Sequence, residues 1–205
     1  LNMKIIAESK GLKNLRNLKT LLLNDNNIIK IQGLSSLKNL KKLDLSRNNI
    51  IEIKRLKKLK NLEELNLETN KIRKIKGLTK FSNLTNLNLS RNKIKKISGL
   101  KNLKKLTELN LEGNFISVVK GLNNLHNLKD LYLQNNIISE ISDIKNLINL
   151  ERLYLHNNRI SEISELESLL NLKELYLYNN KITETNALNK LVNLKRLSLA
   201  KNPIS

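Results

Sequence analysis

The sequence predicts an α/β-type solenoid: a curved, right-handed superhelix with parallel strands on its concave face and 3₁₀ or irregular turns on its convex face. Three observations predict it. A Leu-x-x-Leu-x-Leu pattern returns every 22 residues from Leu18 without an insertion. An Asn stands at the same place in every copy. Leu and Ile make up most of the apolar residues and aromatics only 3% of the chain, so one packing solution must be reused along its length.

Each position of the repeat has its own physical reason. Position 1 is Leu18, Leu40, Leu62 and so on to Leu194. Positions 4 and 6, Leu21 and Leu23 in the first copy, share one side of an extended segment; positions 3, 5 and 7 share the other. A strand that short needs parallel neighbours, and parallel neighbours need a return path of about a dozen residues. Position 9 is Asn in all nine copies, from Asn26 to Asn202. Its carboxamide can bond backbone groups where the chain turns inward, so stacked copies should build an Asn ladder.

Position 11 is always Ile, and position 14 is Ile or Val until Thr185. Positions 17, 20 and the next position 1, such as Leu100, Leu103 and Leu106, are spaced by three, which is the 3₁₀ period. Five of the six glycines (Gly11, Gly33, Gly77, Gly99, Gly121) hold position 16, where a tight entry or a positive φ is expected. Arg55, Asp143, Glu165 and Ala187 take that slot elsewhere. Residues 1–17 read as a partial N-terminal repeat, since Leu12, Leu15 and Asn17 match positions 17, 20 and 22. Residues 18–205 read as nine repeats of one solenoid domain, with no complete C-terminal cap.

This pattern resembles the leucine-rich repeat family, specifically its short 22-residue subclass, from Leu12 to Ser205. Within that subclass the chain is similar to an intracellular branch that includes the nuclear regulatory subunit of protein phosphatase 1. The second choice is the internalin type, secreted by bacteria, which usually carries Pro before the position-17 residue; here that slot holds Gly, Arg, Asp, Glu or Ala. The ending Leu199-Ala-Lys-Asn-Pro-Ile also resembles the last repeat of intracellular members. The resemblance implies a protein-interaction scaffold or regulatory subunit, in the cytoplasm or nucleus, that docks a globular protein such as a phosphatase on its concave face. The alternative it implies is a secreted, internalin-like adhesion or host-interaction domain.

Positions 2, 3, 5, 7 and 8 are expected to line the concavity. Position 5 runs Leu22, Asp44, Asn66, Asn88, Asn110, Tyr132, Tyr154, Tyr176, Ser198, and Tyr178 lies two residues beyond Tyr176. All four tyrosines therefore project from one surface, and strands ~4.8 Å apart would make three of them a continuous ladder. His156 borders the ladder at position 7. Tyr buries a large rigid surface while keeping a polar tip, which suits an interface hot spot. Asp130, Arg152 and Glu174 at position 3 would form a charged rim, with Asn110 and Glu112 beside it. A plainer account of the same residues is strand propensity and a solvated charge row.

Charge is unevenly placed. Residues 1–105 hold 27 Lys and Arg against 7 acids, so the net +20 of the chain belongs to its first half. Such a surface could attract nucleic acid, acidic protein or anionic lipid. No base-stacking aromatic is interleaved with the basic residues of that half, and no groove-reading motif is present. Solubility and compositional bias are the plainer reading, which leaves nucleic acid a remote partner.

No residue is read as catalytic, metal-ligating or cofactor-binding. The chain has no Cys, which excludes a disulfide and a thiolate zinc site. Its two histidines, His126 and His156, lack a second ligand at metal spacing. No glycine-rich phosphate loop follows a strand, and no run of eighteen apolar residues exists that could span a membrane.

Overall fold

The computed structural model describes residues 12–205. Gly11 and most of the partial N-terminal repeat lie outside the described residues. Each repeat contributes one three-residue strand, from position 3 to position 5: Thr20–Leu22 (β1), Lys42–Asp44 (β2), Glu64–Asn66 (β3), Asn86–Asn88 (β4) and Glu108–Asn110 (β5). Asp130–Tyr132 (β7), Arg152–Tyr154 (β9), Glu174–Tyr176 (β10) and Arg196–Ser198 (β11) complete the series. These nine form one parallel sheet in chain order. Every pairing joins residue i to i+22, as in Leu43 with Leu65 and Tyr154 with Tyr176.

The core lies behind this sheet. Position-4 and position-6 leucines, among them Leu65, Leu67, Leu109 and Leu111, are fully buried. So are the position-11 isoleucines from Ile50 to Ile182, and Phe81 takes the position-20 slot without exposure. The last coil has no neighbour on one side, and Leu197 is 45% exposed where Leu175 is fully buried.

The position-9 ladder closes the turn after each strand. Asn114 donates through Nδ2 to the carbonyls of Leu111 (3.0 Å) and Glu112 (3.1 Å), and to Leu89 of the preceding coil (3.0 Å). Its Oδ1 accepts from the Ile94 amide at 3.0 Å. One buried carboxamide thus satisfies backbone groups on two coils, which would otherwise be desolvated without partners. The same set recurs at Asn48, Asn70, Asn92, Asn136 and Asn180.

A second ladder, which the sequence reading noticed only as a match at position 22, runs along the other edge. Asn61, Asn127, Asn149, Asn171 and Asn193 donate to the carbonyl 23 residues earlier, for example Asn149 to His126 at 2.8 Å.

The return path has the expected 3₁₀ hydrogen bonds. Leu103 donates to Leu100 (2.9 Å) and Leu106 to Leu103 (3.0 Å), and the same pair of bonds repeats from coil to coil. The variation lies just before that turn. Gly33, Gly77, Gly99 and Gly121 have positive φ, as expected, and so do Arg55 (64°) and Asp143 (59°). Glu165 and Ala187 avoid that strain, because position 16 there falls inside the 3₁₀ segments Ser164–Ser168 and Asn186–Lys190. Two short convex strands, Val118–Val119 (β6) and Glu140–Ile141 (β8), pair in parallel where β-branched residues favour extension.

Candidate protein-binding face

The residues at positions 3, 5 and 7 emerge on the open side of the sheet. Position 8 follows them into the turn with positive φ at every coil from Asp25 to Lys201, including Gly113 at 63°. Sequence reading grouped position 8 with the concave residues; the structure makes it a backbone turn position. Its signal was present in the run Gly113, Asn135, Asn157, Asn179, residue types that tolerate the left-handed region. The three asparagines form an exposed row, Asn157 donating to Asn135 (2.8 Å) and Asn179 to Asn157 (2.9 Å).

Position 5 divides the face in two. In the coils before Tyr132 it holds Asp or Asn, and the side chain serves its own turn. Asn110 Oδ1 accepts from the Glu112 amide at 3.0 Å, as Asn66 does from Glu68 and Asn88 from Ser90. The oxygen that would face a partner is already engaged. From Tyr132 onward the ring cannot make that bond. Among the described residues the position-7 amides of Gln134, His156 and Tyr178 have no protein acceptor.

In their place the tyrosines stack. Tyr132 and Tyr154 lie 4.7 Å apart at 13°, and Tyr154 and Tyr176 lie 4.8 Å apart at 6°. Tyr178 stacks not on this ladder but on His156, at 4.3 Å and 16°. His156 meets Tyr176 edge-on at 6.5 Å, which joins the two stacks into one aromatic surface of five rings. Burial lowers the His156 pKa, with Glu112 opposing, so its ring is neutral at pH 7. Burial pushes the Tyr154 hydroxyl up to about 12, and the Glu174 carboxylate and the adjacent tyrosines add to it.

The position-3 charges are paired within the protein. Arg152 Nη2 donates to Asp130 Oδ2 at 2.7 Å while its Nε also faces that carboxylate, and Asp130 is only 8% exposed. Glu174 accepts from Arg196 at 3.3 Å and from the Tyr176 hydroxyl at 3.2 Å. The expected rim is therefore a neutralised ladder that orients the tyrosines. Glu112 binds Gln134 Nε2 at 3.1 Å and Asn135 Nδ2 at 3.3 Å, so it too belongs to the support. Gln134, absent from the sequence reading, is buried at the foot of the ladder.

A family model described as leucine-rich repeats (2 copies) matches in seven overlapping segments, from residues 16–57 to 170–205. No curated protein matches. Among solved structures the chain is similar to internalin C2 of Listeria monocytogenes, at 32% identity and a TM-score of 0.85, over 90% of this chain and 81% of that one. A functional domain of InlJ from Listeria monocytogenes, described as including a cysteine ladder, matches at 28% identity and a TM-score of 0.84. That match covers 97% of this chain but only 43% of the InlJ chain. The repeat register, the parallel sheet and the family match agree: this chain belongs to the leucine-rich repeat family.

Proposed function

We propose that this protein is a non-enzymatic scaffold that docks a globular protein partner on its concave face, centred on Tyr154. The observation that carries this reading is the joined aromatic surface of Tyr132, Tyr154, Tyr176, His156 and Tyr178. Large rigid rings, held in place by stacking and by the paired charges beneath, lose little entropy when a partner covers them. The free amides of Gln134, His156 and Tyr178 add donors for a partner's carbonyl or carboxylate oxygens. Asn110 and Glu112 sit at the margin as supports.

A pull-down comparing wild type with Tyr132→Ala/Tyr154→Ala/Tyr176→Ala tests it. Loss of a specific partner, with both proteins still folded by circular dichroism, supports the docking face. Retention of every partner sinks it.

A phosphatase as occupant rests on the regulatory-subunit resemblance alone. The similarity to internalin C2 favours the second reading, a secreted host-interaction domain. The first reading places the chain in the cytoplasm or nucleus. Fractionation of the source cells, with antibody against the chain, separates the two.

A further inference from the structure

The basic half of the solenoid contains a site that the linear sequence conceals. From Lys71 to Thr107 the chain has twelve Lys and Arg and no Asp or Glu. Two successive outer turns, Lys71-Ile72-Arg73-Lys74-Ile75-Lys76 and Lys93-Ile94-Lys95-Lys96-Ile97, bury their isoleucines and leave every cation exposed. None of these cations makes an ion pair among the described residues, whereas Lys54 on the preceding coil is paired with Glu52.

Backbone bonds hold the turns in register. Lys93 donates to the Ile72 carbonyl and Phe115 to the Ile94 carbonyl, each at 2.8 Å. Lys71, Lys93 and Phe115 therefore stand in one column, one per coil. Phe115 belongs to the next repeat in sequence, yet its ring, 50% exposed, borders the cations. Arg73, Lys74, Lys76, Lys93, Lys95 and Lys96 line a cleft of about 780 Å³ with Phe115 at one side.

We infer that this cleft binds single-stranded nucleic acid, with phosphates on the two cation rows and one base stacked on Phe115. A regular row of unpaired cations suits the repeating charge of a phosphodiester backbone. The exposed ring provides the stacking face that sequence-tolerant binding to single strands requires. A flat lipid surface has no use for a concave cleft with a single ring at its side, and an acidic peptide leaves that ring without a base to stack on. The site lies on the outer turns, not on the tyrosine face, and does not depend on it.

Fluorescence anisotropy with a 5′-labelled oligouridylate of about twelve nucleotides tests the inference, a length within the range one such groove accommodates. Binding should weaken linearly on a log–log scale as salt rises. Lys74→Ala/Lys95→Ala should lower the salt slope by about two, one per lost phosphate contact. Phe115→Ala should weaken binding about fivefold or more at every salt concentration without changing the slope, and Phe115→Tyr should restore it. All three side chains are exposed, so unchanged melting curves confirm that the variants fold.

The tyrosine triple variant should bind the oligonucleotide like wild type. Wild-type affinity in Phe115→Ala, an unchanged slope in the lysine variant, or tighter binding to phosphatidylserine vesicles or to polyglutamate than to the oligonucleotide would each overturn the inference.

Discussion

Tyr154 and Tyr176 are 22 residues apart in sequence and stack ring on ring at 4.8 Å, with their planes 6° apart. Sheet register brings this about, since Tyr176 pairs directly with Tyr154 and the ring spacing equals the strand spacing. Tyr154 also stacks on Tyr132, so it is the centre of the ladder. Tyr154→Ala opens both stacks and should lower stability by about 1–2 kcal/mol, whereas Tyr154→Phe keeps both rings in contact. Urea unfolding of the two variants measures the difference.

The same tyrosine sets an alkaline limit. Its hydroxyl ionises near 12 in the folded chain against an ordinary 10.0, chiefly through burial. Between those values the unfolded chain has lost a proton that the folded chain retains, so stability falls as pH rises through that window. Melting temperature measured from pH 9 upward should decline in wild type and decline less in Tyr154→Phe.

His156 works in the opposite direction, on the acid side. Its folded pKa is depressed below the ordinary 6.5 by burial. As pH falls through 6.5 the unfolded chain takes up a proton that the folded chain refuses, and stability is lost toward the folded pKa. His156→Phe keeps a ring against Tyr178 and should flatten this part of the melting profile between about pH 7 and 5.

The two asparagine ladders should differ sharply in what they contribute. Asn114→Ala strands the Ile94 amide and three carbonyls in a buried turn, and should destabilise by about 3 kcal/mol or more. Asn149→Ala removes one exposed bond to the His126 carbonyl, where water can replace it, and should cost less than about 1 kcal/mol. Chemical denaturation midpoints of the two variants give the comparison.

Position 16 supports a pair of opposite substitutions. At Gly99 the φ is +75°, and an added Cβ would lie 2.6 Å from the Ile75 carbonyl oxygen. Gly99→Ala should therefore destabilise by at least about 1 kcal/mol. Arg55 holds the same slot at φ 64° with an L side chain, so Arg55→Gly should be neutral or stabilising, by up to about 1 kcal/mol. Asp143 would not behave like Arg55, because its carboxylate accepts the Gly121 amide at 3.0 Å.

Most of the fold was legible because the repeat states each requirement again on every coil. The sheet register, the position-9 ladder, the 3₁₀ bonds between positions 17, 20 and 1, and the left-handed glycines all follow from residue types at fixed spacing. The candidate site was legible as a column of tyrosines at position 5 with His156 beside it. Less legible was what its neighbours do. Asn110 and Asp130 look like surface groups in a string of letters, but one caps its own turn and the other is held by Arg152. Such engagement depends on partners two or 22 residues away and on which atoms desolvation forces together.

The sequence by itself determined the solenoid and the location of its aromatic face, because a 22-residue period leaves one way to bury Leu and Ile on every coil. It also determined that the positive charge belongs to the first half. Only the tertiary structure decided what that charge surrounds. No aromatic interrupts the basic residues along the chain, yet stacking of coils carries Phe115 to their edge, since residues far apart in sequence become neighbours across one strand spacing. The charge that looked like mere solubility thereby gains a cleft and a stacking ring.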